Sequence, residues 1–403
     1  MESSAETASD VIILGGGLVG LTLALALGEA GLSASIVDPT DPVTQAAPGA
    51  DPRATAIASA SWRMFEALGL ADELLPHACP IRAIRVSDGL APGALDFEGD
   101  EPLGRMVENR LLRAALTARV QAGPARLLAP ARPVDMVRDD HGVRVTLADG
   151  TVLAAPLLVA CDGRASPTRE AAGIPVARWQ YDHAAIVGTI DHARGHDGVA
   201  YEIFYPTGPF ALLPLLPGTR SAFVWSVARG DLPGYLKLGP RAFAAELEAR
   251  MGGLLGATTL VGERKGYPLG FHHAARITDR RLALAGDAAH GIHPIAGQGL
   301  NLGLRDVAAL AEVLADGARL GLDLGDAQLL ARYERWRALD TLAIAGATDS
   351  LTRLFGIPGR AASAVRRAGM AAVNATPALK RFFMDEARGT GGALPRLLGG
   401  EPA

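Results

Sequence analysis

The chain has 403 residues, 49% hydrophobic, 20% charged and only 5% aromatic, with a formal net charge of −4. That is long enough to bury a large core in two or three structural units and too apolar for a disordered chain. The acidic balance gives no reason to expect a nucleic-acid partner, and two cysteines, Cys79 and Cys161, exclude a disulfide framework and make a reducing cytoplasm the default compartment.

No charge falls between Val11 and Gly28. An export signal would carry Lys or Arg ahead of such a run, whereas Glu2, Glu6 and Asp10 stand there, and Gly15 to Gly17 break it in two. The pattern predicts a buried strand over 10–14, a tight turn and a helix over 18–30, not a membrane span. A second strand over 33–38 closes a βαβ unit, and 39–52 reads as an exposed loop. Short strands are expected over 81–107, a helix over 108–121, and a hairpin from 132–137 and 143–147 about Asp140-His141-Gly142. Another buried strand, 157–160, ends at Asp162-Gly163. Residues 178–270 are strand-rich and read as an inserted sheet. The strand 282–285 returns to the first unit, a long helix follows over 299–316, and the chain from about 327 is helical with a loose Gly-rich end from Gly389.

Three clusters carry chemistry. Gly15-x-Gly17-x-x-Gly20 lies between strand and helix, with Leu18 opening the helix and Asp38 ending the next strand. The glycines permit the turn, the approach of backbone to a pyrophosphate and close helix–strand packing, while the helix N-terminus faces phosphate and Asp38 can accept from a ribose hydroxyl. Asp162-Gly163-x-x-Ser166-x-x-Arg169 follows a buried strand, where Ser166 also serves as a helix cap. Gly286-Asp287 then leads to His293-Pro294-Ile295-Ala296-Gly297-Gln298-Gly299-Leu300-Asn301 and Asp306. The acid at a strand end can bond a ribityl hydroxyl, the glycines let backbone lie against a flat ring, and the long helix points its positive end at that ring. His290 and His293 lack the carboxylate or cysteine neighbours of a metal site, so no metal is expected.

In this order the clusters resemble the para-hydroxybenzoate-hydroxylase class of flavin monooxygenases, and His293 to Asp306 resembles the signature of its ubiquinone-biosynthesis hydroxylases (the UbiH/UbiF type). The likeness extends to Asp51-x-Arg53-x-x-Ala56, Asn109-Arg110-x-Leu112, Gly208 to Pro214, Leu379 to Phe382 and Leu394 to Leu398. It departs at Asp38, where the class more often has Glu, and at Cys161, read as inert packing. The resemblance implies an α/β fold: an FAD-binding Rossmann-like domain of the glutathione-reductase type (1–75, 101–177, 271–326), an inserted mixed β-sheet substrate domain (76–100, 178–270) and a C-terminal helical region (327–403). It implies FAD as cofactor and NAD(P)H as electron donor. FAD contacts are expected from Arg53 and Arg110, from the Val134 backbone at the adenosine end, from Asp162, from Asp287 on the ribityl chain, and from Gly297, Gln298, Gly299, Leu300 and Asn301 beside the isoalloxazine. Phe210, Leu212, His293 and Pro294 are the expected pocket residues.

The implied activity is hydroxylation of a polyprenylated phenol intermediate of ubiquinone synthesis by O2 through a flavin C4a-hydroperoxide. Other ubiquinone-biosynthesis enzymes are expected partners. Residues 350–403 carry eight Lys/Arg against three Asp/Glu, mixed with Leu, Phe, Val and Met, which predicts peripheral association with the inner face of the cytoplasmic membrane. A helical cover or dimer contact is the alternative for that segment. For the whole chain, a non-catalytic flavin-binding assembly protein and another oxidoreductase of this fold (an isoprenoid reductase or oxidase) stay open.

Overall fold

Where the sequence runs apolar without alternation, the chain forms strands covered on both faces. Val11–Leu14, Ala34–Val37 and Leu157–Ala160 are buried at every residue and pair in parallel, with Val11–Leu14 in the middle. Leu282–Leu284 and Arg126–Leu128 extend this sheet in parallel, and Thr278–Asp279 adds an antiparallel edge. The computed structural model describes residues 7–47, 49–91, 93–291, 298–338, 357 and 359–403. Helix Leu18–Glu29 packs against helices Asn109–Ala122 and Gln298–Arg319, joining the sheet in one apolar core. The hairpin Pro133–Arg138 and Val143–Leu147 belongs to a small sheet with Val152–Ala155 and Thr7–Ala8.

Among the described residues, the strand-rich middle of the chain forms an eight-stranded mixed sheet. Its order is His290–Gly291, Thr258–Ala274, Val176–His192, Arg220–Ala228, Gly208–Leu215, Val199–Tyr205, Ala83–Asp88 and Leu95–Glu98. The α/β class with an added mixed sheet is therefore as the sequence predicts. Helix Pro240–Met251 covers one face of the large sheet, where Phe243 and Leu247 meet Phe210, Leu212, Phe223 and Trp225. A three-stranded antiparallel sheet, Ala54–Ala58, Gly104–Glu108 and Cys79–Ile81, contributes to a cluster on the other face, where Ile81 and Met106 join Leu95, Phe97 and Phe204. Met370 and Met384, from helices Arg360–Ala375 and Pro377–Arg388, close that cluster.

Two expectations are corrected. The exposed stretch 39–52 contains a short helix, Pro42–Ala46, because Asp41 accepts from the Val43 N–H at 2.8 Å and Pro42 sits in the first turn. The Gly-rich terminus is not loose. Arg396–Gly399 is helical with Leu397 and Leu398 buried, and Arg396 donates to Asp316 at 2.6 Å. Arg63 donates to the Leu398 carbonyl and Arg305 to that of Gly391, so glycine content here marks close approach rather than disorder.

Candidate functional site

The glycine turn is built as its spacing requires. Gly15 has φ +108°, and a Cβ there would lie 2.3 Å from the Cys161 carbonyl oxygen; one on Gly20 would lie 1.9 Å from the Gly15 oxygen. Gly17, by contrast, faces open space, as does Gly299 at the start of the long helix. No side chain among the described residues caps the helix that follows Gly17, which leaves its N-terminus for a ligand. Asp38 anchors the turn: Oδ2 accepts from the Gly16 N–H at 2.7 Å, and Oδ1 from the Thr40 N–H and Gln45 Nε2.

Sequence reasoning missed Arg113. It stands one helical turn after Arg110, donates to the Gly16 carbonyl at 3.0 Å and, with Gly16, Asp38 and Gln45, lines a narrow cavity at the turn. Burial lowers its pKa, with Asp38 and Asp51 opposing. A larger cleft of about 260 Å³ lies next to it, lined by Pro39, Pro130, Ala131, Arg132, Leu147 and Asp149 among others. Val134, 65% exposed, is on the strand bordering this cleft and does not line it. Arg110 pairs with Glu108 at 2.8 Å. Arg53 forks onto Asp51 at 2.7 and 2.8 Å, which raises its pKa, while Asp51 also accepts from Asn109 at 3.2 Å. The guanidinium lies 5.8 Å from the Tyr267 ring centroid, on the large sheet.

Two acids aim where a ligand would sit. Asp162 Oδ2 accepts from the Thr168 N–H at 3.0 Å, but its Oδ1 is buried without a partner among the described residues. Such an orphan costs about 1–3 kcal/mol, which a ligand hydroxyl removes. The Asp287 side chain is open to water yet crowded by protein on nearly every side, as in the wall of a narrow cleft. That crowding raises its pKa, and His290, Arg164 and Arg53 pull the other way. The open glycines, the orphan acceptor and the crowded acid together fit a dinucleotide carrying ribose and ribityl hydroxyls.

Behind Asp287 a buried network holds the loop. Asp306, fully buried, accepts from His290 Nε2 at 2.6 Å, the Gly286 N–H at 2.9 Å and Arg337 Nε at 2.7 Å. His290 is thus a structural partner of Asp306. His272, not singled out by sequence, makes a 2.7 Å hydrogen bond through Nε2 with the Asp287 carbonyl, and burial pushes its pKa down to about 4. Gly303 brings the long helix against Val19 and Gly286, where a Cβ would lie 2.8 Å from Val19 Cγ2.

Asn301 does different work from that expected of a residue beside a ring. Its Nδ2 donates to the Ala56 carbonyl at 2.7 Å and its Oδ1 accepts from the Ala58 N–H at 2.9 Å, so it stitches the helix start to the strand Ala54–Ala58. Leu300, partly buried, packs against the main core. Gln298 begins the helix, and its side chain, like His293, Pro294 and Gly297, lies outside the described residues. Phe210 and Leu212 are corrected: they are 0% and 1% exposed and pack under helix Pro240–Met251. Alternation along their strand sends Ala211 and Leu213 to the opposite face, toward the three-stranded sheet.

A family model described as FAD binding domain matches residues 8–344. The chain is 48% identical to the ubiquinone hydroxylase UbiL of Rhodospirillum rubrum, over 99% of this chain and 94% of that one. It is 31% identical to the 3-demethoxyubiquinol 3-hydroxylase of Escherichia coli, over 94% and 98%. Among solved structures, p-nitrophenol 4-monooxygenase PnpA of Pseudomonas putida matches with a TM-score of 0.81 at 20% identity, covering 97% of this chain and all of that one, a likeness of fold.

Proposed function

The chain belongs to the family of FAD-dependent ubiquinone-biosynthesis hydroxylases, and on that premise we propose that it hydroxylates the ring of a polyprenylated phenol on the route to ubiquinone. The observation that carries the reading is similarity to named hydroxylases along nearly the whole chain, at 48% for the R. rubrum protein. As a member of this family it is an FAD-dependent monooxygenase using NAD(P)H. Bound FAD supplies the redox chemistry that activates O2. The protein's part is to bind, orient and exclude water.

For the cofactor we assign Gly15, Gly17, Gly20 and the helix N-terminus at Leu18 to the pyrophosphate, with Asp38, Arg53, Arg110 and Arg113 around it. Asp162 and Asp287 take ribityl hydroxyls, Gly297 to Leu300 form the ring side, and Asn301 holds the helix start behind it. Segments 1–75, 101–177 and 271–326 make the cofactor unit, 76–100 and 178–270 the substrate unit, and 327–403 the cover.

The test is NAD(P)H oxidation and O2 uptake by the purified protein with a farnesylated phenol or with 4-hydroxybenzoate. The prenylated ring is expected to stimulate both at least about tenfold more, corresponding to about 1.4 kcal/mol of discrimination, with the hydroxylated product found by mass spectrometry. Faster, coupled turnover of the benzoate would sink the substrate assignment.

We place the enzyme on the inner face of the cytoplasmic membrane, where a lipid-like substrate resides. No helix among the described residues is long and apolar enough to cross a membrane. The helices Arg360–Ala375 and Pro377–Arg388 expose Val365 (67%), Leu379 (40%) and Phe382 (56%) beside Arg367, Lys380 and Arg381. Basic residues contribute about 1 kcal/mol each at an anionic surface, and inserted apolar side chains add to that. Flotation with phosphatidylglycerol vesicles is expected to carry wild type, and to leave behind a variant with V365S, L379S, F382S, K380E and R381E. Equal flotation of both removes the membrane role.

A further inference from the structure

We propose that Glu202 lines the substrate cleft and accepts the phenolic proton of the ring as it is hydroxylated. The proposal rests on the phenol hydroxylase reading above and adds a residue to it.

Glu202 lies in the middle of strand Val199–Tyr205, in register with Val86 on one neighbouring strand and Ala211 on the other. Its neighbours along the same face, Ala200 and Phe204, belong to the apolar cluster toward the three-stranded sheet. That cluster reaches Ala54 and Ala56, and Ala56 is the residue whose carbonyl Asn301 holds from the start of the long helix. The acid thus shares its face of the sheet with a cluster that extends to the strand Asn301 holds, at the start of the helix assigned to the ring side of the cofactor. It is 8% exposed and has no hydrogen-bond or ion-pair partner among the described residues. Ala200 and Ala211 are its small neighbours on this face, and Val86 and Phe204 the larger ones.

On the neighbouring strands Arg85 pairs with Asp96 at 2.6 Å and Arg105 lies over the Trp62 ring. Asp88 is paired with Arg366 at 2.9 Å and Glu108 with Arg110. Cys79, with Arg82 nearby, is pushed up to about 11 by burial and stays neutral. Burial alone pushes Glu202 up to about 8, between an ordinary carboxyl and a phenol. An isolated buried acid is costly unless a ligand uses it.

In the step, the phenolic O–H bond breaks and its proton passes to a Glu202 carboxylate oxygen. The electron pair moves into the ring as the ring carbon bonds the electrophilic oxygen, which O2 and NAD(P)H supply in the family's reaction. The hydrogen on that carbon then leaves to water as a proton, and Glu202 returns its proton to the ring oxygen.

The experiment compares wild type with E202Q, which keeps shape, and E202D, using 2-farnesylphenol. FAD content is expected to be equal in all three. The wild-type hydroxylation rate is expected to rise with pH through about 8. E202Q loses that rise and about 10²–10³-fold in kcat, a normal span for a lost acid–base group, and E202D recovers part. Independently of turnover, the infrared band of a protonated carboxyl shifts when the phenol binds to wild type and is missing in E202Q. E202Q within twofold of wild type at every pH overturns the proposal, whether or not the band shifts. Wild type that forms no hydroxylated product from a prenylated phenol overturns instead the reading on which it rests.

Discussion

Asp306→Ala is expected to cost about 3–5 kcal/mol of folding stability, read as a large fall in the urea midpoint. The carboxylate is fully buried and serves His290, Arg337 and the Gly286 N–H at once. Deleting it removes the carboxylate that pairs with the Arg337 guanidinium, itself 1% exposed. Against a total stability of about 5–15 kcal/mol, that loss is a large share of what holds the fold. The loop it holds carries Asp287, so any folded remainder is also expected to bind FAD poorly. Burial alone would raise the Asp306 pKa, but His290 and Arg337 outweigh it and leave the carboxyl below its ordinary value. Its stabilising effect is thus present above the unfolded carboxyl's value of about 3.9 and is lost as pH falls through the lower folded one. Asp306→Asn retains an acceptor for Gly286 and should fall between the two. A urea midpoint for Asp306→Ala equal to wild type would falsify the network's role.

The parallel sheet was legible in the sequence because strands buried on both faces leave unbroken apolar runs, and Val11–Leu14 is one. The glycine turn was legible because its steric demands are local: Gly15 and Gly20 meet backbone within a few residues or after the adjoining strand. Partners distant in sequence were not. Asn301 reads in its motif as a ring contact, yet both ends of its amide bond a strand more than 240 residues earlier. Arg113 reads as one more solvated charge on a helix; its spacing from Arg110 puts it one turn on, but nothing local says that the turn at Gly16 lies opposite. Phe210 and Leu212 show why alternation misleads in a sheet covered on both sides. The pattern separates two faces without saying which one borders the cleft, and the apolar choice led to the core under helix Pro240–Met251. Glu202 fails for the same reason, since a polar residue in an alternating strand reads as solvent-facing until the second cover is seen.

The two glycines of the turn make opposite demands, and substituting each by alanine is expected to separate folding from cofactor binding. Gly20→Ala places a Cβ 1.9 Å from the Gly15 oxygen and 3.3 Å from the Cys161 Cβ. Neither backbone nor the buried cysteine can yield that much, so the helix Leu18–Glu29 must move off the parallel sheet. Overpacking of this kind costs at least about 1–3 kcal/mol, and the displaced helix N-terminus no longer faces the pyrophosphate. The expected product is colourless, with a lower melting temperature than wild-type protein stripped of FAD. Gly17→Ala meets nothing within 4 Å and sits at φ −73°, which alanine adopts freely. The stripped variant should therefore melt within about 0.5 kcal/mol of stripped wild type. Its methyl instead projects into the space assigned to the pyrophosphate, so FAD affinity is expected to fall on the order of 100-fold, about 2.7 kcal/mol. Fluorescence titration of the stripped proteins with FAD measures both effects against the melting curves. If Gly17→Ala binds FAD as tightly as wild type, the open side of this turn is not where the phosphates lie, and the cofactor assignment of Gly15, Gly17 and Leu18 has to be abandoned.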